Sequence, residues 1–373
     1  MENKIKYGQF FTKNSEYIVG DLIDSFISKK IINKNSKIID PFVGNGDLLD
    51  IIEVGEKIGY DIDIQKNGFI KKNTFLDVPN YSDKIIITNP PWLAKNKNKD
   101  KENINIYEKY NTNDLYKCAL LSFIETANNG IIILPLNFWC ESRGSIRKDF
   151  LNIFRIDKVK VFEEKIFEDT TYTACAFAFS RCENISEQKI IFEFWKDSKF
   201  KDNKFVCGSK KPYKEIELKL LKKDDYIVGS SYYKFIKNNK SKNIKRYIKG
   251  DSPKNTLVLY AQDTGSENGK IRLESKDTPH IDMTPNNTDR VFAGIKILNG
   301  KKEFQLNKEQ ELIVCENFNK KINYYRKKYN SLNLTNFRNS NTEIARKRIS
   351  FYEAYSIISW ALKESNIKIN QNS

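Results

Sequence analysis

The sequence predicts an α/β protein in two parts: a doubly wound, mostly parallel sheet with helices on both faces, then a C-terminal domain of mixed α+β structure. Three observations carry this prediction. Between about residues 15 and 200, short β-branched apolar runs alternate with stretches of helical spacing, the pattern of a parallel sheet covered on both sides. Near residue 200 that alternation stops, and the polar, charged stretch 196–211 reads as a linker. The chain has 373 residues, more than one hydrophobic core usually holds. The expected domains are 1–200 and 201–373.

Each element follows from its own residues. Residues 16–30 carry Ile18, Val19, Leu22, Ile23, Phe26 and Ile27 at helical spacing. Lys37-Ile38-Ile39-Asp40 is a short strand ending in an acid, with 48–54 as the helix expected after it. Gly59-Tyr60-Asp61 closes a second strand, and Lys84-Ile85-Ile86-Ile87-Thr88 is a third. A helix at 115–127 precedes a buried strand at 130–135, and 158–162 and 173–179 complete the strand set. Further on, 257–261 and 290–298 are strand-like, while 308–329 and 350–363 are helical. Residues 95–101 form a basic loop of low complexity, and there is no internal repeat.

Composition narrows the function. No apolar run approaches the length of a membrane span, and no apolar core follows Met1, so a cytoplasmic protein is expected. Six cysteines without a CxxC pair and a single histidine, His280, supply neither a zinc site nor a Ser-His-Asp triad. Lys and Arg total 64 against 48 Asp and Glu, a formal charge of +16. Such a surplus suits a polyanionic partner, although an AT-rich coding sequence also produces Lys-rich chains.

Four motifs carry chemistry. Asn89-Pro90-Pro91-Trp92 directly follows the third strand, where open α/β sheets bind ligands. A residue before proline is held extended, and prolines offer carbonyl acceptors without N–H donors. The Asn89 amide oxygen is a second acceptor. Two acceptors converging on an exocyclic amine localise its lone pair for attack on a methyl sulfonium, and Trp92 offers a face on which a base stacks. The plain alternative is a Pro-Pro turn. Asp40-Pro41-Phe42-Val43-Gly44-Asn45-Gly46 joins the first strand to the next helix, with glycines that admit close backbone approach. Neither GxGxxG nor GK[ST] is present. Asp61 ends the second strand, where an acid accepts ribose hydroxyls. Tyr7-Gly8-Gln9-Phe10-Phe11-Thr12 leads into the first helix, with Thr12 or Ser15 as its N-cap.

In this order the four motifs resemble the gamma-class DNA adenine-N6 methyltransferases of type II restriction-modification systems, whose hallmark is NPPY or NPPW. The resemblance covers roughly residues 5 to 180, including Ile132 to Phe138 and the segment around 163–169. It implies the class I S-adenosylmethionine-dependent methyltransferase fold, S-adenosyl-L-methionine as cofactor and a C-terminal DNA target-recognition domain. It further implies Asn89 and Pro90 as acceptors for the adenine amine, with Pro91 stiffening the loop and Trp92 as the stacking ring. Phe179, with Tyr172 as second choice, is implied as the opposing ring. Phe11, Thr12, Asp40, Pro41, Gly44 and Gly46 fall at cofactor-loop positions and Asp61 at the ribose. One departure stands out. The family usually places an Asp against the cofactor adenine, and here Asn73-Thr74-Phe75-Leu76-Asp77 puts Thr74 at that position, leaving Asp77 as substitute or Phe75 stacking as the main hold.

The implied partner is double-stranded DNA, its target base flipped into a basic cleft between the two domains, with a separately encoded restriction endonuclease as companion. Lys95, Lys97, Lys99 and Lys101 would contact phosphates or close over the base; Arg338, Arg346, Lys347 and Arg348 would read bases or phosphates. The other readings are methylation of RNA adenine or of a protein glutamine, which also use Asn-Pro-Pro-aromatic loops, and a catalytically silent DNA-binding module.

Overall fold

The computed structural model describes Thr12, residues 14–140 except 65 and 99, 145–167, 172–182, 185, 188–196, 199–208, 227–231, 234–237, 244–248, 254–263, 271–277, 292–299, 302–329, 331, 334–337 and 346–367. The chain divides into two compact units, Met1–Pro212 with Arg338–Ile344, and Tyr213–Phe337 with Ala345–Ser373.

The first unit is built on Lys37–Asp40 (β1), whose Ile38 and Ile39 are fully buried. A strand apolar on both faces belongs in the centre of a covered sheet. It pairs in parallel with Glu56–Asp61 (β2) on one side and Lys84–Thr88 (β4) on the other. Beyond β2 lies Ile70–Lys71 (β3), and beyond β4 lies Asn129–Pro135 (β5), both parallel. The order is therefore β3-β2-β1-β4-β5. The chain winds outward from β1 to β3, then returns to start the other half at β4. This reversal opens a crevice at the carboxyl ends of β1 and β4.

Ala174–Arg181 (β8) joins β5 antiparallel, and Lys158–Phe162 (β7) lies antiparallel to β8. Phe154–Arg155 (β6) adds a short pairing to β8. Lys189–Lys196 (β9) runs parallel to β7, and Lys199–Gly208 (β10) pairs antiparallel with β9. The stretch read as a linker thus carries the end of one strand and the whole of the next. On β9, Ile190, Phe192 and Phe194 are buried at alternate positions, a period-two signal obscured by the surrounding charge. Lysine-rich sequence is compatible with a strand at a sheet edge.

Helix Ser15–Ser28 (α1) buries Ile18, Val19, Leu22, Ile23 and Phe26. Lys160 of β7, almost fully buried, donates to Asp21 at 2.6 Å and to the Tyr17 carbonyl at 3.0 Å, fastening α1 to the sheet. The helix expected at 48–54 is a single turn, Asp47–Asp50 (α2). The chain reverses at Gly55, φ +92°, to enter β2 one residue later, which leaves no room for more. Lys101–Lys109 (α3) grows out of the basic loop with Ile106 and Tyr107 buried, and Leu115–Thr126 (α4) follows. Asn137–Cys140 (α5) and Ser145–Ile153 (α6) follow β5.

In the second unit, Ile227–Ser231 (β11), Leu257–Tyr260 (β14), Arg272–Ser275 (β15) and Phe292–Asn299 (β16) form an antiparallel sheet in the order β11-β16-β14-β15. Lys308–Tyr329 (α7) is seated on this sheet by polar side chains. Asn319 bonds both the N–H and the carbonyl of Leu273 at 3.0 Å, and buried Glu311 accepts from Thr256 N at 2.6 Å. Phe351–Glu364 (α8) is capped by Ser350, which accepts from Glu353 N at 3.1 Å. Its buried Ala354, Ile357, Ile358, Ala361 and Leu362 repeat at helical spacing. Of the basic clusters, Lys234–Lys237 (β12) pairs with Ile244–Ile248 (β13), and Arg346–Arg348 (β18) pairs with Thr335–Phe337 (β17). Tyr232, Tyr233 and Arg338 lie outside the described residues, as do Lys99 and the segment from Tyr7 to Phe11. No helix among the described residues is long and apolar enough to cross a membrane.

Candidate functional site

The ends of β1, β2 and β4 are stitched together by side chains. Thr88 Oγ1 donates to Asp40 Oδ1 at 2.6 Å, and the Phe42 N–H donates to the same oxygen at 3.0 Å. The loop after β1 then crosses to β2. Val43 N donates to the Tyr60 carbonyl at 2.8 Å, and Gly44 N donates to Asp61 Oδ2 at 2.9 Å. Asp61 Oδ1 also accepts from Asp63 N at 3.0 Å. Gly46 is required where it stands: its φ is +88°, and a β-carbon there would meet the Phe69 ring at 2.7 Å.

Two carboxyl groups are thereby held out of water side by side. Burial pushes Asp40 up to about 7, against the hydrogen bonds from Thr88 and Phe42, with the nearby charge of Asp61 adding to the rise. Burial likewise raises Asp61 above the ordinary carboxylate value. A site where desolvation disfavours two carboxylate charges is one a cation would relieve.

Asn89 ends β4. Its Nδ2 donates to Thr12 Oγ1 at 3.3 Å, and the Thr12 carbonyl accepts from Ser15 Oγ at 2.9 Å. Thr12 is thus laid against the Asn-Pro-Pro loop. The loop is fixed from behind, where the Leu93 carbonyl accepts from Tyr107 Oη at 2.7 Å and from Leu115 N at 3.1 Å. Trp92 is buried and meets Phe167 edge to face, centroids 5.3 Å apart.

One pocket, partly open to solvent, brings these pieces together. It is lined by Thr12, Asp40, Pro41, Gly44, Asp61, Thr74, Phe75, Asn89 and Pro91 of the predicted set, with Asn73 and with Asn103, Ile106 and Leu115 from α3 and α4. Pro90 and Trp92 are buried beside it, and Gly46 supports the loop from outside the lining. Phe11 lies outside the described residues.

Phe179 is elsewhere. It pairs with Gly130 near the start of β5, away from the strand ends that carry Asn89, and is 1% exposed. Its ring packs against Phe154 at 4.8 Å and Phe150 at 5.2 Å, in the core at the end of the sheet away from the pocket. The antiparallel course of β8 explains the misplacement: its first residues, not its last, lie at the pocket edge of the sheet. Phe167, which precedes β8 and lies in the segment around 163–169 that the resemblance covers, is the ring that touches Trp92.

The Thr74 departure also has a local account. Its hydroxyl donates to the Pro41 carbonyl at 3.0 Å, tying this segment to the loop after β1. Asp77 points outward, 78% exposed and paired with Lys72 at 2.9 Å, so it does not take the vacated role. Phe75 packs against Phe42 with centroids 4.9 Å apart, giving the pocket an aromatic wall.

The strand order, with one antiparallel strand set between β5 and β7, and the pocket at the β1/β4 reversal define the class I S-adenosylmethionine-dependent methyltransferase fold. No family model matches the chain. Among proteins of known function it is similar to two type II methyltransferases of Haemophilus influenzae, M.HincII and M.HindII. Each is 29% identical over 211 residues, half of this chain, and the match spans 40% and 39% of their respective lengths. Among solved structures, the methyltransferase subunit of a type I restriction-modification system from Streptococcus thermophilus aligns at TM-score 0.38 and 16% identity, over 51% of this chain and 48% of its own. The type IIL restriction-modification enzyme MmeI aligns at TM-score 0.40 and 12% identity, over 55% and 41%.

Proposed function

We propose that this protein is a DNA methyltransferase of a restriction-modification system that transfers a methyl group from S-adenosyl-L-methionine to N6 of adenine in double-stranded DNA. The observation that carries the reading is the shared pocket: Asn89 and Pro91 line the same cavity as Asp40, Gly44 and Asp61. Similarity to type II methyltransferases over half the chain supports it.

The pocket suits the cofactor. Two buried carboxyl groups with raised affinity for protons match a ligand bearing a sulfonium and an ammonium group. The Phe42–Phe75 wall matches an aromatic base. Bound there, the cofactor supplies an electrophilic methyl group. Asp61 would hold the ribose, exchanging its bonds to the Gly44 and Asp63 N–H groups for hydroxyls. Asp40 would face the cationic end.

Asn89 does the positioning on the substrate side. Thr12 accepts from its Nδ2, which orients the amide and sets its oxygen as an acceptor on the opposite side. That oxygen and the Pro90 carbonyl accept the two hydrogens of the adenine amine. The nitrogen lone pair, withdrawn from the ring, would attack the methyl carbon in line as the methyl–sulfur bond breaks; S-adenosyl-L-homocysteine would leave and the displaced amine proton would pass to solvent, with no covalent enzyme intermediate. The target base leaves the duplex to reach this site and packs against the Trp92–Phe167 pair. Alignment of this kind is worth several kcal/mol of barrier.

The test is transfer from labelled cofactor to double-stranded DNA, with RNA and a protein mixture as competitors, followed by nucleoside analysis. N6-methyladenine in DNA is the expected product. Label in RNA or in protein glutamine, or cofactor binding without transfer to any of the three, would overturn the reading. In the same assay Asn89→Ala should lose about a hundred- to a thousand-fold in rate, the scale of one transition-state hydrogen-bonding group, while binding cofactor normally by calorimetry.

A further inference from the structure

The two loops beside the pocket touch twice, in the same order along each. The inner contact is apolar and buried: Trp92 against Phe167 at 5.3 Å. Five residues further along both segments comes an outer, exposed contact. There Lys97 Nζ donates to Tyr172 Oη at 3.3 Å and lies 5.7 Å from the centre of that ring. A base held at the inner pair would have its sugar and phosphate directed outward, toward the second contact.

The backbone under Lys97 is anchored, while its side chain is held by the long contact to Tyr172. Lys95–Lys97 is a single 3-10 turn preceded by Ala94, which forms a bridge with Asp114, and Lys95 N donates to the Asn113 carbonyl at 2.8 Å. Neighbouring cations are engaged: Lys95 faces Glu108 at 3.6 Å, and Lys109 donates to the Phe75 carbonyl at 2.8 Å. Among the described residues, the hydrogen bond and ring contact of the Lys97 side chain are both with Tyr172. A 3.3 Å bond to a neutral hydroxyl is long and weak, whereas a phosphate oxygen would give a shorter, charge-assisted one.

We infer that Lys97, steadied by Tyr172, is the phosphate contact that positions the target nucleotide while its base occupies the Asn89 site. The inference rests on the DNA reading above. Lys97 is a positioning residue: phosphate contacts fix register without touching the reacting atoms.

The experiment compares wild type, Lys97→Gln, Lys97→Arg and Tyr172→Phe on plasmid DNA from a methylation-free host, measuring KM, kcat and the salt dependence of KM. Lys97→Gln should raise KM for DNA roughly ten-fold, keep kcat within about two-fold, and reduce the log–log salt slope by about 0.9, the loss of one phosphate contact. Lys97→Arg should restore both KM and slope, and Tyr172→Phe should fall between. Cofactor affinity should be unchanged in all four. Wild-type KM and salt slope in Lys97→Gln, or a fall in kcat at unchanged KM, would overturn the inference and leave the DNA reading standing. A wild-type enzyme inert on DNA would overturn both.

Discussion

Asp40 is the residue whose chemistry the fold has altered most. Ordinarily ionised well below neutrality, it is pushed up to about 7 by burial. The folded protein therefore holds a proton on Asp40, between about pH 4 and 7, that the unfolded chain has already lost. The contribution of this group to stability is greatest below pH 4 and is lost as pH rises through 7. Asp40→Asn should keep both hydrogen bonds, since Thr88 and Phe42 donate to the same oxygen, while removing the charge. The variant should be more stable than wild type at pH 8, by up to about 4 kcal/mol for a shift of this size, and lack this pH dependence. Denaturant melts from pH 5 to 8 measure it. The same variant should bind the cationic cofactor at least about ten-fold more weakly, about 1.4 kcal/mol. Equal cofactor affinity in the two proteins would remove Asp40 from the site.

At the scale of elements, β5 shows why an aromatic near the end of β8 became core rather than site. Gly130 pairs with Ile86 on one side and Phe179 on the other, and the Phe179 ring lies across it. A β-carbon at Gly130 would meet the ring at 2.5 Å and the Ile86 carbonyl at 2.8 Å. Backbone on one side and a caged ring on the other leave little to yield. Gly130→Ala should therefore cost about 1–3 kcal/mol, the usual range for overpacking, and lower the melting temperature by several degrees. Phe179→Leu should also destabilise, yet leave kcat per folded molecule unchanged. A selective loss of turnover in Phe179→Leu would return that ring to the site.

For the whole molecule, the charge of +16 acquires a meaning that can be measured. If the surplus serves a polyanion, raising salt from about 50 to 200 mM should weaken DNA binding by at least about ten-fold. Fluorescence anisotropy on a labelled duplex reads this directly. An affinity indifferent to salt would mark the lysines as a feature of composition alone.

Strands β1, β4, β5 and β7 were legible in the chain because each is a short β-branched run, and so were the long helices α1, α4, α7 and α8, because their apolar residues repeat at helical spacing; of β2 only the end, Gly59-Tyr60-Asp61, was legible. The acids and glycines at strand ends were legible for the same reason: ligand loops in such sheets occur where strands stop, and strand ends can be located from local pattern. Other features depend on residues far apart in sequence. The hydrogen bonds from Thr88 to Asp40 and from Gly44 to Asp61, and the laying of Thr12 against Asn89, exist only once β1, β2 and β4 are adjacent. The direction of β8, which sent Phe179 into the core and brought Phe167 to Trp92, is a property of strand pairing, which no local period encodes. The raised affinity of Asp40 for its proton has the same origin: it comes from excluding water, and only the packed sheet does that.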